Sequence, residues 1–298
     1  MNDDFSGDED VFTPLIFSRA EQTLMGILAE TARRLRYPLY LVGGLIRDRL
    51  LGLASKDFDF LIEGDLALFL ALGQSLLEEK FPNEKVIKEV RLFKKYRTAK
   101  VFFSREVFAG ISQIDFAGCR SEHYPHSGAP PIVVVGNFRD DMLRRDFSVN
   151  ALALRLDTLD EVSFAVGLNG LIIAESAGLS DLSLRQLRIH HELSFVDDPA
   201  RIIRALRFIS RLGFSLEEET AKAFYQAIAT DVLSNLPDFR LRDELRKTVE
   251  EDCAFEVLCE LEKLGLLRLM VPLIGPLERL RDKFAELDGA GRLALLGG

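Results

Sequence analysis

Apolar and polar positions set a mixed period in the first half of the chain and a helical one in the second. From Phe17 to Leu35 apolar residues recur at helical spacing, which predicts a packing helix. Pro38 separates it from a short apolar run, Leu39-Tyr40-Leu41-Val42, read as a strand. A glycine pair, Gly43-Gly44, then gives way to Leu45–Leu51 at helical spacing, a strand-turn-helix unit. In Lys56-Asp57-Phe58-Asp59-Phe60-Leu61-Ile62 the period falls to two, so Asp57 and Asp59 share one face and Phe58 and Phe60 the other. Asp65 caps a predicted helix from Leu66 to Glu79. Lys85–Val90, Thr98–Phe103 and Gln113–Phe116 have β character, which with the two earlier strands predicts a small mixed sheet of about five. The stretch from Cys119 to Asn137, with Gly128, Pro130 and Pro131, reads as mostly loop. Beyond it, Asp198-Pro199 starts a predicted helix with Arg201, Arg204 and Arg207 on a basic face, and Leu216–Ser234 and Asp238–Gly265 are amphipathic.

Composition adds limits. With 298 residues, 48% of them hydrophobic, the chain can bury a large core and form two or more domains. No apolar run approaches the ~20 residues that span a bilayer, and the acidic start lacks the basic and apolar regions of a signal peptide, so no membrane partner and a cytoplasmic location are expected. Cys119, Cys253 and Cys259 are odd in number and lack metal-ligand spacing, which predicts free thiols. The net charge of −9 argues against a general nucleic-acid coat protein, but arginines concentrate locally at Arg139, Arg144 and Arg145 and again from Arg185 to Arg211.

Three segments carry candidate chemistry. The glycine pair lets a ligand approach the backbone, and amides at a helix start attract phosphate. Asp57 and Asp59 would repel unless divalent cations lie between them, and oxygen ligands suit Mg²⁺. Asp115, flanked by Ile114 and Phe116, is a candidate third carboxylate. Two metals about 3.5–4 Å apart can activate a hydroxyl and stabilise leaving pyrophosphate. Taken alone, aspartates alternating on a strand more often mark a solvated face. Arg144-Arg145-Asp146-Phe147-Ser148-Val149-Asn150 can grip a triphosphate and bind a ribose, or form a surface ion-pair cluster. Asp198 and Arg201 can read a base edge, or cap and bridge a helix. His123 and His126 lie in a proline-containing stretch and read as exposed loop residues.

GGLIRDRLLG followed by KDFDF resembles the head motif of the class II tRNA nucleotidyltransferase and bacterial poly(A) polymerase family. RRDFSVNA, DLSLRQLR, SFVDDPARIIRALRF and the Arg240, Glu244, Lys247 triplet resemble its further motifs in the right order. The resemblance implies a DNA polymerase β-like head with a small mixed sheet, then an all-α neck and body. It implies domains at 16–155 (head), 156–235 (neck) and 236–298 (a short or truncated body), after an acidic tail at 1–15. It further implies that Asp57 and Asp59 hold two Mg²⁺ ions, that Gly43, Gly44, Arg47, Asp48 and Arg145 meet the triphosphate, and that Asp146 and Asn150 recognise the ribose. Asp198 and Arg201, with Arg204 and Arg207 along the same helix, would recognise the base of CTP or ATP. The third motif would couple head to neck. Asp197 replaces the family's usual Glu, which puts the positioning of Arg201 in question. The implied activity is addition of C, A or both to a tRNA 3′ end; a poly(A) polymerase or a catalytically silent RNA-binding module are the alternatives.

Overall fold

The helix before the first strand forms where the pattern places it, as α1, Arg19–Leu35, in a computed structural model that describes residues 12–104, 107–159, 168–272 and 276–296. Ser18 and Glu21 close a capping box at its start, and Arg36 in the left-handed region ends it. Residues 1–11 of the expected acidic tail lie outside the described residues; Leu15, near its other end, is buried.

The sheet has seven strands rather than five. β1 is Leu39–Val42, β2 Phe58–Ile62, β3 Ile87–Phe93, β4 Thr98–Phe103 and β5 Gln113–Gly118. A ribbon follows, β6 at Arg120–His123 and β7 at Ile132–Val135, where the sequence reads as loop. Pro130 and Pro131 precede β7 without entering it, a position compatible with an edge strand. β8, Leu152–Arg155, and β9, Ile172–Ala174, complete the sheet in the order β3-β4-β5-β2-β1-β8-β9. These last two are four and three residues long, too short to show a period. β2 and β5 are parallel and the other neighbours antiparallel, so the sheet is mixed.

Between β1 and β2 lies α2, Gly44–Leu50; α3, Leu66–Lys80, follows β2, and the Asp65 side chain accepts from the Leu68 amide at its start. One face of the sheet, with Val101, Phe103, Ile114 and Phe116, meets Leu28 of α1 and Phe69 and Leu77 of α3. Phe60 stacks on Phe116 with ring centroids 5.4 Å apart. The opposite face is apolar at one end, where Tyr40, Val42, Leu61 and Ala153 pack with Met142 of α4, Phe138–Leu143. Towards β4 and β3 it becomes polar.

The chain divides into two units, one holding residues through Glu122 and Val133–Ser183, the other His123–Ile132 and everything from Leu184. α5, Gly178–Ser183, closes the first. The second is helical: α6 is Ser194–Asp197, α7 Ala200–Leu212, α8 Glu218–Ala229, α9 Asp238–Val249 and α10 Ala254–Lys263. α7 packs on α9 and α10, and Ile202, Ile203 and Leu206 of α7, Leu241 and Leu245 of α9 and Val257 and Leu258 of α10 are buried. Gly213, at φ 65°, supplies the left-handed cap that ends α7. Among the described residues no helix is long and apolar enough to cross a membrane.

Candidate active site

The glycine turn sits where acid and arginine meet. Gly43 has φ 82°, and its amide donates to the Leu152 carbonyl at 3.0 Å. The positive φ calls for glycine, and a Cβ there would stand 3.1 Å from Arg145 Nη1 and 4.0 Å from Asp59 Oδ2, so arginine and aspartate both close on this turn. The three expected parts of the first unit's site, the turn, the paired aspartates and the arginine motif, therefore converge on one place.

Asp57 lies just before β2 and Asp59 within it, both in contact with solvent, while Phe58 and Phe60 are buried. Asp59 stands opposite Asp115 in the β2–β5 register. Its carboxyl is pushed up to about 6: desolvation by the surrounding protein is the main cause, Arg145 opposes it, and the Asp115 and Asp57 charges add to it. Asp115 accepts from Lys100 Nζ at 2.5 Å and from Gln113 Nε2 at 2.6 Å. Among the described residues no three acid, histidine or cysteine side chains are drawn together as a ready-made metal cage. The donor chemistry nevertheless fits Mg²⁺: the candidate ligands are carboxylate oxygens, and Asp59 is in contact with solvent opposite Asp115.

The arginine motif is tied down by buried acids. Arg144 donates to Asp141 at 2.9 and 3.0 Å and to Glu122 at 3.0 Å; Arg145 reaches Asp141 at 3.4 Å and the Asn150 carbonyl at 3.2 Å. Asn150 Nδ2 donates to Asp146 Oδ1 at 2.8 Å, which also accepts from the Phe147 amide. Arg47, only 3% exposed, binds Asp48 at 2.6 Å and donates to Asn150 Oδ1, so it reaches this segment from inside. Ser148 Oγ donates to buried Asp181 of α5 at 2.6 Å, and a Cβ on Gly178 would lie 2.6 Å from the Ser148 carbonyl. α5 thus supports the turn that presents Asn150.

In the second unit Asp198 and Pro199 link α6 to α7, and the helix begins at Ala200. Asp198 is bound by Arg240 of α9 at 3.0 Å and accepts from the Ala200 amide at 3.3 Å. Arg201, 5% exposed, donates to the Ser194 hydroxyl, while Asp197 lies 4.0 Å from His191. Arg207 is buried against Glu244 at 2.7 Å, and burial lowers its pKa. Arg204 lies over the Phe208 ring at 5.8 Å. The expected exposed basic face of α7 is corrected in part: Arg201 and Arg207 turn inward, because Ser194 and Glu244 offer acceptors there. His123 and His126 are exposed, and the three cysteines are free, with burial pushing Cys119 up to about 12.

A model of the poly A polymerase head domain matches residues 39–188, just over half the chain. The chain belongs to the poly A polymerase head-domain family. In this family member a second model, described as a probable RNA and SrmB-binding site of polymerase A, matches residues 213–277. The chain is 35% identical over 222 residues to the A-adding tRNA nucleotidyltransferase of Aquifex aeolicus, covering 74% of this chain and 24% of that protein. It is 32% identical over 252 residues to the A-adding tRNA nucleotidyltransferase of Halalkalibacterium halodurans, covering 84% and 54%. The chain therefore spans between about a quarter and about half the length of these relatives. An apo form of a CCA-adding enzyme superposes with TM-score 0.74 at 28% identity, covering 94% of this chain and 63% of the other. A tRNA nucleotidyltransferase complexed with a primer tRNA and an ATP analogue gives 0.66 at 29%, covering 86% and 66%.

Two residues that shape the poly A polymerase head escaped the sequence reading. Lys100 and Asp141 are partners of Asp115 and of the two motif arginines, and neither belongs to a short motif. Asp181 and Ser194 open the third and fourth motifs, but their ties to Ser148 and Arg201 carried no sequence signal.

Proposed function

We propose that the chain is the nucleotidyl-transfer part of a template-independent tRNA nucleotidyltransferase, adding C, A or both to a tRNA 3′ end with release of pyrophosphate. The observation that carries this reading is the meeting of Asp59, Asp115, Gly43 and Arg145 at one point of the sheet. The RNA 3′-hydroxyl attacks the α-phosphorus of ATP or CTP; the bond to the bridging oxygen breaks, pyrophosphate leaves and the hydroxyl proton passes to solvent. Asp57 and Asp59 would hold Mg²⁺, with Asp115 beside them, and two ions would supply Lewis-acid activation of the hydroxyl and charge neutralisation on the leaving group.

Arg145 and the Gly43–Gly44 turn meet the triphosphate, with Arg47 and Asp48 steadying the turn from within. Asp146 and Asn150 recognise the ribose. Asp198 and Arg201 recognise the base, with Arg204 and Arg207 shaping their helix. Catalysis here is positioning and charge stabilisation, without a covalent intermediate. The division of labour proposed is transfer in 16–155, base recognition in 156–235 and support from 236–298, in the cytoplasm. The names of the A-adding relatives favour A as the nucleotide.

Purified protein with Mg²⁺ is offered tRNA transcripts ending before CCA, after C and after CC, each with CTP, ATP or both. A single A on the CC end is the expected product. Long A tracts on unrelated RNA would replace this reading by poly(A) synthesis, and no incorporation would overturn it.

A further inference from the structure

We propose that the open face of the β3–β4 hairpin is a track for single-stranded RNA leading to the carboxylates. This rests on the nucleotidyl-transfer reading for its purpose, while RNA binding by the hairpin is tested without turnover. Between Glu84 and Lys100 the chain places seven Lys and Arg against two Glu, in a protein of net charge −9. Register carries this charge to the site: Arg91 stands opposite Lys100, Lys100 opposite Asp115, and Asp115 opposite Asp59. At a strand spacing of about 4.8 Å the row spans about 14 Å, the reach of a few nucleotides.

Aromatic side chains flank the row on the same face. Phe93 and Phe102 lie two residues from Arg91 and Lys100, and a side chain two residues on returns to the same side. The Arg91 guanidinium lies 4.8 Å over the Phe102 ring, held flat by bonds to Glu89 at 2.6 and 3.0 Å. Phe93 is 44% exposed and Tyr96, at the hairpin tip between Lys95 and Arg97, 46%. A shallow hollow lined by Lys88, Phe102, Ser112 and Gln113 extends the face. On the sheet's other side Val101 is buried towards α1 and α3, while Val90 of β3 is 39% exposed. Cations for the backbone interleaved with rings for unpaired bases are what single strands bind. A duplex would hide its base faces, and an acidic protein would leave the rings unused.

The test measures anisotropy of a short unstructured oligoribonucleotide with the 298-residue chain, in EDTA and without nucleotide. Arg91→Glu/Lys94→Glu/Lys95→Glu is expected to weaken binding about 10-fold or more and to reduce the slope of log affinity against log salt by about 2. Phe93→Ala is expected to weaken it about 5- to 10-fold. The control Lys80→Glu/Lys222→Glu/Lys263→Glu changes charge equally on exposed residues outside the hairpin. In turnover, the hairpin variants raise KM for the RNA primer and leave kcat and nucleotide KM unchanged. A hairpin effect no larger than the control's overturns the proposal, as does polyglutamate competing as well as RNA, which would indicate an acidic protein partner. If no RNA is extended at all, the catalytic reading falls and the binding data alone decide on the track.

Discussion

The two units treat clustered charge in opposite ways. Around β2 and β5 three acids, Asp57, Asp59 and Asp115, meet Arg145 and Lys100, and desolvation, with the Asp115 and Asp57 charges adding to it, pushes the Asp59 carboxyl up to about 6. On α7 charge is closed internally at Arg207, which is buried on Glu244 with Glu251 beside it. From sequence the first reads as paired aspartates on a strand and the second as an acid-arginine motif on a helix. The difference lies in neutralisation. A cluster that leaves charge over is prepared for an ion from outside, and one that balances itself holds helices in place.

The largest expected effect follows from removing the first kind of charge. Asp59→Ala should lower kcat about 1,000-fold, some 4 kcal/mol of transition-state stabilisation, with little loss of folded protein by circular dichroism. Breaking the second kind should do the reverse. Glu244→Ala leaves buried Arg207 with only the more distant Glu251, 3.7 Å away, and should destabilise by about 3 kcal/mol in urea unfolding. An Arg207→Met/Glu244→Leu double variant should recover much of that loss, since a packed apolar pair replaces a buried ionic one. If Glu244→Ala is as stable as the parent, the distinction between the two regions fails.

Ser148→Ala should have an intermediate effect. It leaves buried Asp181 short of a donor, at about 1–3 kcal/mol, and loosens the turn carrying Asn150, so nucleotide KM rises more than primer KM. The smallest effect concerns pH. A carboxyl raised in the folded state binds its proton more tightly than in the unfolded chain, so stability falls as pH rises from about 4 through about 6. Asp59→Asn should therefore raise the melting temperature of metal-free protein at pH 7.5. Solvent screening at this accessible site keeps the gain below about 1 kcal/mol, and it should vanish near pH 4. A gain that persists at pH 4 would contradict the sign.

Local chemistry carried the elements that were legible in advance. The Pro38 break before β1, the Asp65 cap and the Phe58/Phe60 alternation all act within a few residues, and each appears in the fold. β8 and β9 were not legible, because four and three residues cannot express a period and their pairing partners are remote. The site's parts were legible as motifs, while the ties between them were not. Arg47 meets Asn150 across 103 positions, and Ser148 meets Asp181 across 33; no local pattern encodes such distances. The hairpin from Glu84 to Lys100 shows the same limit, since its cations become a row only once register aligns Lys100 with Asp115.

The most direct test of under-neutralised acid at β2 is the calorimetric affinity for Mg²⁺ from pH 5 to 8, in the parent and in Asp59→Asn. The affinity should be level above about pH 6 and fall up to about tenfold per pH unit below it, as the Asp59 proton competes with the ion, with binding lost in the variant. Mg²⁺ binding that ignores both pH and the substitution would contradict it.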